Sequence, residues 1–145
     1  MPPWRPLKKA FKYEIMKKPQ INADQHELDE LSFKINGCAM DVLNAIGHGF
    51  HEKIYENAMI VALEGKGLRV SQQKQYPIYF QEKNVGVFIP DLIIEDRIIV
   101  ELKTIDHIGN HEKGQVLNYL RASQLKLALI LNFKNSKLEW QRVIL

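Results

Sequence analysis

Apolar residues recur at three- and four-residue spacing through Leu28, Leu31, Ile35, Cys38, Ala39, Val42 and Ile46. That is the stripe of a helix with one buried face. Asp24 precedes it as an N-cap, whose carboxylate can accept from free backbone N–H groups of the first turn. Gly47-His48-Gly49 interrupts the stripe. A second helix is predicted from about His51 to Lys66, with Ile54, Tyr55, Ala58, Val61 and Ala62 on its apolar side. Gly65 and Gly67 close it, Gly67 being the better C-terminal stop.

The pattern then changes period. Residues 69–80 read as one strand, with Tyr76, Ile78 and Phe80 alternating near its end. Glu82-Lys83-Asn84 is a turn, Val85–Pro90 pairs back, and Asp91–Ile94 continues extended to a Glu95-Asp96 turn. Arg97–Lys103 follows as a strand whose Ile98-Ile99-Val100 run suits a central position covered on both faces. His107–Asn110 is a loop, His111–Ala122 a helix with Val116, Leu117 and Leu120 inward, and Leu125–Leu131 and Leu138–Ile144 are two further strands. The order helix, helix, three strands, helix, two strands implies an α/β (α+β-like) sandwich with a mixed sheet.

Composition narrows this without redirecting it. A chain of 145 residues, 46% hydrophobic and 26% charged, fits one globular domain and excludes a mainly disordered chain. Net charge of +3 permits nucleic-acid binding without demanding it. The basic residues Arg5, Lys8, Lys9, Lys12, Lys17 and Lys18 crowd into residues 1–24, read as an N-terminal arm before a domain over 25–145. Cys38 has no partner for an internal disulfide and sits among apolar residues, so it reads as a small buried hydrophobe. No apolar run has the length of a membrane span and the N-terminus lacks a secretory core, so a cytoplasmic protein is expected.

Candidate chemistry gathers around Asp91, Glu101 and Lys103. The two acids bracket a predicted hairpin, which brings its opening and closing residues side by side. Glu101 and Lys103 are two apart on a strand and share a face. Paired carboxylates repel, so either their pKa values rise or a cation sits between them. Oxygen ligands suit Mg²⁺ or Mn²⁺ rather than zinc. An adjacent ammonium can hold an attacking water and offset phosphate charge. The same spacing also occurs as a surface pair on a turn and an edge strand, and both readings stay open on spacing alone.

The surrounding motifs are ordered. Gly49-Phe50-His51-Glu52-Lys53-Ile54-Tyr55 precedes the Asp91…Glu101-Leu102-Lys103 phrase, and Gln115-Val-Leu-Asn-Tyr119 and Leu129-Ile-Leu-Asn132-Phe133 follow it. Together they resemble the PD-(D/E)XK nuclease superfamily, and within it the small prokaryotic GxxExxY proteins, over about residues 28–145; Gln115…Tyr119 is similar to the QxxxY element of RecB-type nucleases. The resemblance implies a restriction-endonuclease-like sandwich, a mixed central sheet flanked by helices. It implies that Glu52, Asp91, Glu101 and the backbone carbonyl of Leu102 hold Mg²⁺ or Mn²⁺. Lys103 is then the catalytic lysine, while Gln115 and Tyr119 orient it or contact the DNA backbone.

Tyr55 and His111 join the substrate-binding set as candidates, although Tyr55 also fits a core position with a satisfied hydroxyl. Glu56 reads as a solvated helix acid. His48, His51 and His107 fit polar surface near element ends. The implied activity is metal-dependent phosphodiester hydrolysis, of DNA in preference to RNA, with no membrane association and with a homodimer or protein partner left open. The rival is a catalytically silent nucleic-acid-binding or accessory protein on the same fold, and a defence-associated subunit active only in a complex is a third reading.

Overall fold

The structure is a computed structural model that describes residues 4–145 in backbone and residues 23–145 in side chain. Apart from its last two residues, the expected arm over 1–24 lies outside the described side chains. Helix α1 (Trp4–Ile46) buries Leu31, Ile35, Cys38, Ala39, Val42 and Leu43. Asp24 lies within α1, so the expected N-cap role is corrected. Gly47, at φ +81, ends the helix by a left-handed step that costs glycine nothing, and its N–H returns to the Leu43 carbonyl at 2.9 Å.

Helix α2 (Glu52–Gly65) buries Tyr55, Glu56, Met59 and Leu63. Ile54 and Val61, expected inward, are 43% and 75% exposed. Apolar residues occur on more than one side of this helix, and packing against α1 and the sheet selects which side is covered. The C-terminal stop is Gly67 at φ +78. Its N–H reaches the Glu64 carbonyl at 2.9 Å and the Leu68 N–H the Leu63 carbonyl at 3.1 Å, which satisfies the last free carbonyls.

Seven strands follow, interrupted by one helix. They are β1 (Val70–Gln72), β2 (Tyr76–Phe80), β3 (Lys83–Phe88), β4 (Leu92–Ile94), β5 (Ile98–Lys103), then α3 (Asn110–Ser123), β6 (Leu127–Asn132) and β7 (Glu139–Ile144). The three strands expected before α3 are therefore five. The single strand expected over 69–80 is broken at Gln73, whose φ of +55 turns the chain. The turn expected at Glu82-Lys83-Asn84 sits at Gln81-Glu82, both at positive φ, and Lys83 and Asn84 belong to β3.

The main sheet has the order β1-β4-β5-β6-β7, and β2-β3 is a separate two-stranded sheet. Only β5 and β6 run parallel; the other neighbours are antiparallel. Helix α3 provides the crossover a parallel pair requires. Ile98, Val100 and Leu102 pack toward α1 and α2, whereas Ile99 packs with Val116 and Leu120 of α3. This is an α/β sandwich with a mixed central sheet between helical layers, the restriction-endonuclease-like architecture. Among the described residues, no helix is long and apolar enough to cross a membrane.

Candidate metal centre

The register of β4 and β5 pairs Leu92 with Val100, which sets Asp91 beside Glu101 at the end of the ladder. Two backbone donors interlock the acids. The Asp91 N–H donates to Glu101 Oε1 at 3.0 Å, and the Leu102 N–H donates to Asp91 Oδ2 at 2.9 Å. Each carboxylate is thus held by the other's strand. Glu101 is buried at 5% exposure and Asp91 is half-buried.

That placement is electrostatically costly. Burial, then the neighbouring Asp91 charge, pushes the Glu101 carboxyl up to about 8. Burial also raises Asp91, against the Leu102 N–H and the Lys103 ammonium, which favour its charged form. Lys103 is half-buried on β5, two residues from Glu101, and therefore on the same side of the sheet. Its carbonyl accepts the Phe133 N–H at 2.9 Å, which ties the end of β5 to β6.

Two hard carboxylates whose charged forms are disfavoured, Glu101 by burial and by Asp91 and Asp91 by burial, fit a divalent cation, which would favour the charged form of both. Mg²⁺ commonly uses one or two protein carboxylates and retains waters. Among the described residues, no three His, Cys, Asp or Glu side chains converge on a common ion. Glu52 opens α2 in the layer that covers Ile98, Val100 and Leu102, while alternation turns Glu101 toward α3. Partial desolvation raises Glu52, Lys103 opposes that shift, and Asp91 and Glu56 add to it. Glu52 thus lies within electrostatic reach of the pair without closing a three-acid cage.

From the other layer, Tyr119 on α3 stacks on Phe88 at 4.7 Å between ring centroids, and Phe88 stacks on Tyr76 at 5.1 Å. Burial raises the Tyr119 hydroxyl, and the charges of Glu101 and Asp91 raise it further, so it lies within the field of the acid pair. Gln115 and His111 lie in a shallow groove on α3 with Asn110, Asn118 and Arg121. No hydrogen bond among the described residues joins either to the acids.

Two expectations need correction. Tyr55, counted as a substrate-binding candidate, is fully buried. Its hydroxyl donates to the Gly47 carbonyl at 2.7 Å and accepts the Phe50 N–H at 3.2 Å, and its ring stacks on Phe133 at 4.4 Å. It pins the turn before α2 and presents nothing to a substrate. Glu56, expected as a solvated acid, is 4% exposed. It accepts from Gln73 Nε2 at 2.7 Å and pairs with Lys53 at 3.1 Å.

Asn132 is a supporting residue to which its motif assigns no role. Buried opposite Lys103 in the β5–β6 register, it accepts the Ile105 N–H at 3.1 Å and donates to the Ile105 carbonyl at 2.8 Å and to Glu139 at 2.9 Å. Glu139 in turn accepts the Ile108 N–H at 2.9 Å. This brace fixes the segment that leaves Lys103 for α3. A polar residue ending an otherwise apolar strand is the signal that marks it in the sequence.

No curated protein matches the chain. The crystal structure of SSO0001 superposes with a TM-score of 0.49 at 18% identity, over 63% of this chain and 48% of that one, so this chain spans about half its length. Residues 29–143 match the PD-(D/E)XK nuclease superfamily, and the chain belongs to that superfamily.

Proposed function

We propose that this protein is a metal-dependent nuclease that hydrolyses phosphodiester bonds of DNA, of the small GxxExxY kind with a RecB-like QxxxY helix. One observation carries the reading: the Asp91 and Glu101 carboxylates interlock through the Asp91 and Leu102 N–H groups, with Lys103 two residues beyond Glu101. Asp91 and Glu101, with the Leu102 carbonyl, are the residues that would hold Mg²⁺ or Mn²⁺. Glu52 supports them from α2, through a water if not directly. A bound divalent cation supplies Lewis acidity toward a phosphoryl oxygen and lowers the pKa of a bound water.

The chain's own groups do the rest. The Lys103 ammonium donates to the attacking water and offsets charge that develops on the phosphate. Tyr119, fixed by its stack on Phe88, donates its hydroxyl to the backbone of the bound strand. Gln115 and His111 extend that contact along α3. Lys and Arg contacts to phosphates provide affinity, which therefore falls steeply with salt.

The rival reading, a nucleic-acid-binding protein without turnover, draws on the missing third acid among the described residues. One assay separates them. Purified protein is incubated with linear, nicked and single-stranded DNA in Mg²⁺, Mn²⁺ or EDTA, beside Glu101→Ala and Lys103→Ala. Cleavage that needs the metal and both side chains is expected. Cleavage that survives EDTA or either substitution sinks the mechanism, and salt-sensitive binding without cleavage establishes the accessory reading.

A further inference from the structure

We infer that Glu56 and Gln73 form a strut that positions Asp91 from helix α2; the inference rests on the reading of Asp91 and Glu101 as the reactive acid pair. A carboxylate at 4% exposure is costly unless both oxygens find partners. Here both do. Oε1 of Glu56 accepts from Gln73 Nε2 at 2.7 Å, and Oε2 pairs with Lys53 Nζ at 3.1 Å. With its oxygens engaged in this way, Glu56 is linked to the Asp91 main chain through Gln73.

Gln73 completes the link. It follows β1, whose Gln72 pairs with Leu92, the residue after Asp91. Its backbone N–H donates to the Asp91 carbonyl at 3.1 Å. The residue holds φ at +55, a left-handed conformation that residues other than glycine adopt uncommonly. That conformation is retained where the side-chain amide meets Glu56 and the N–H meets Asp91. The main chain of Asp91 is therefore gripped on both sides, its N–H by Glu101 and its carbonyl by Gln73. With both fixed, Oδ2 has a defined origin from which to meet the Leu102 N–H.

The test is amide hydrogen exchange by NMR on the full chain, for wild type, Glu56→Ala, Glu56→Gln and Gln73→Gly. The glycine accommodates the left-handed backbone and removes the side-chain amide that meets Glu56. The reporters are the Asp91 and Leu102 amides, which donate into the acid pair, with Ile99 and Leu129 as references. Glu56→Ala and Gln73→Gly are expected to lose roughly tenfold protection at the two reporters with the references unchanged. Glu56→Gln retains protection because its amide oxygen still accepts from Gln73. Mn²⁺ affinity, read from the spin resonance of the free ion, should weaken in the same two variants only.

Unchanged protection at Asp91 and Leu102, or an equal loss at every amide, overturns the strut. So does a Glu56→Gln variant as damaged as Glu56→Ala, since charge alone would then be the cause. If exchange behaves as expected and wild type takes up no Mn²⁺, the strut stands and the nuclease reading falls.

Discussion

Two hairpins stand next to each other in the chain, separated by Ile89-Pro90-Asp91, and both carry many apolar residues. In the β4–β5 hairpin, Leu92, Ile93, Ile94, Ile98, Ile99 and Val100 are all at most 1% exposed. In the β2–β3 hairpin, Tyr79, Phe80, Val85 and Val87 are between 53% and 65% exposed. The first is the centre of a sheet with helices on both faces. The second is its own two-stranded sheet, anchored at its root where Tyr76 stacks on Phe88 and Phe88 on Tyr119. Burial follows from the layers that cover a strand, and similar residues fare differently when the layers differ. The charged pair lies at the end of the covered hairpin, where low polarity makes each carboxylate strongly responsive to a neighbour.

The contrast should be largest in activity. Glu101→Ala is expected to lower cleavage by at least about 10²–10³-fold, whereas Tyr79→Ala leaves it within about twofold. Initial rates on linear DNA in Mg²⁺ measure both, and a comparable loss from Tyr79→Ala would erase the distinction. Stability comes next. Ile99→Ala leaves a cavity between the sheet and α3 and should cost about 2–5 kcal/mol, while Val87→Ala should stay within about 0.5 kcal/mol. Urea unfolding of the two variants decides this, and equal shifts in midpoint would mean that the β2–β3 hairpin is covered in solution.

A third effect is in pH dependence. The Glu101 carboxyl sits at about 8 in the fold against an ordinary 4.5. A carboxyl raised on folding contributes stability that is fully present below its ordinary value and is lost as pH rises through the raised one. In EDTA the melting temperature should therefore fall as pH rises from about 4.5 to about 8 and level off above that. Val87→Ala should retain that fall and Glu101→Gln should flatten it. Mg²⁺ should restore stability at the alkaline end, because an ion between the carboxylates favours their charged form. A melting temperature that is flat in EDTA over this range contradicts the buried-pair account.

Much of this arrangement is legible residue by residue. Gly67 marks the end of α2, Glu95-Asp96 the β4–β5 turn, and the Ile98–Val100 run the central strand, because local conformation and periodicity decide each. The meeting of Asp91 with Glu101 follows from hairpin geometry and is present as two hydrogen bonds. Glu56 was not legible. A helix acid next to a tyrosine reads as solvated, and the partner that makes its burial tolerable, Gln73, lies 17 residues along the chain. Nor was the break at Gln73, since residues 69–80 carry strand formers on both sides of it and only the left-handed φ separates β1 from β2.

The sequence by itself determined the covered hairpin, its two acids and its lysine, because continuous apolar runs suit strands covered on both faces and the tight Glu95-Asp96 turn pairs them. Tertiary structure decided which other groups join them. It stacked Tyr119 on Phe88 within the field of the pair, kept Glu52 from closing a cage with the pair, sealed Tyr55 into the turn before α2, and joined Glu56 to Gln73. Those outcomes depend on how helices lie on the sheet, and side-chain packing across long chain separations sets that where no local period can.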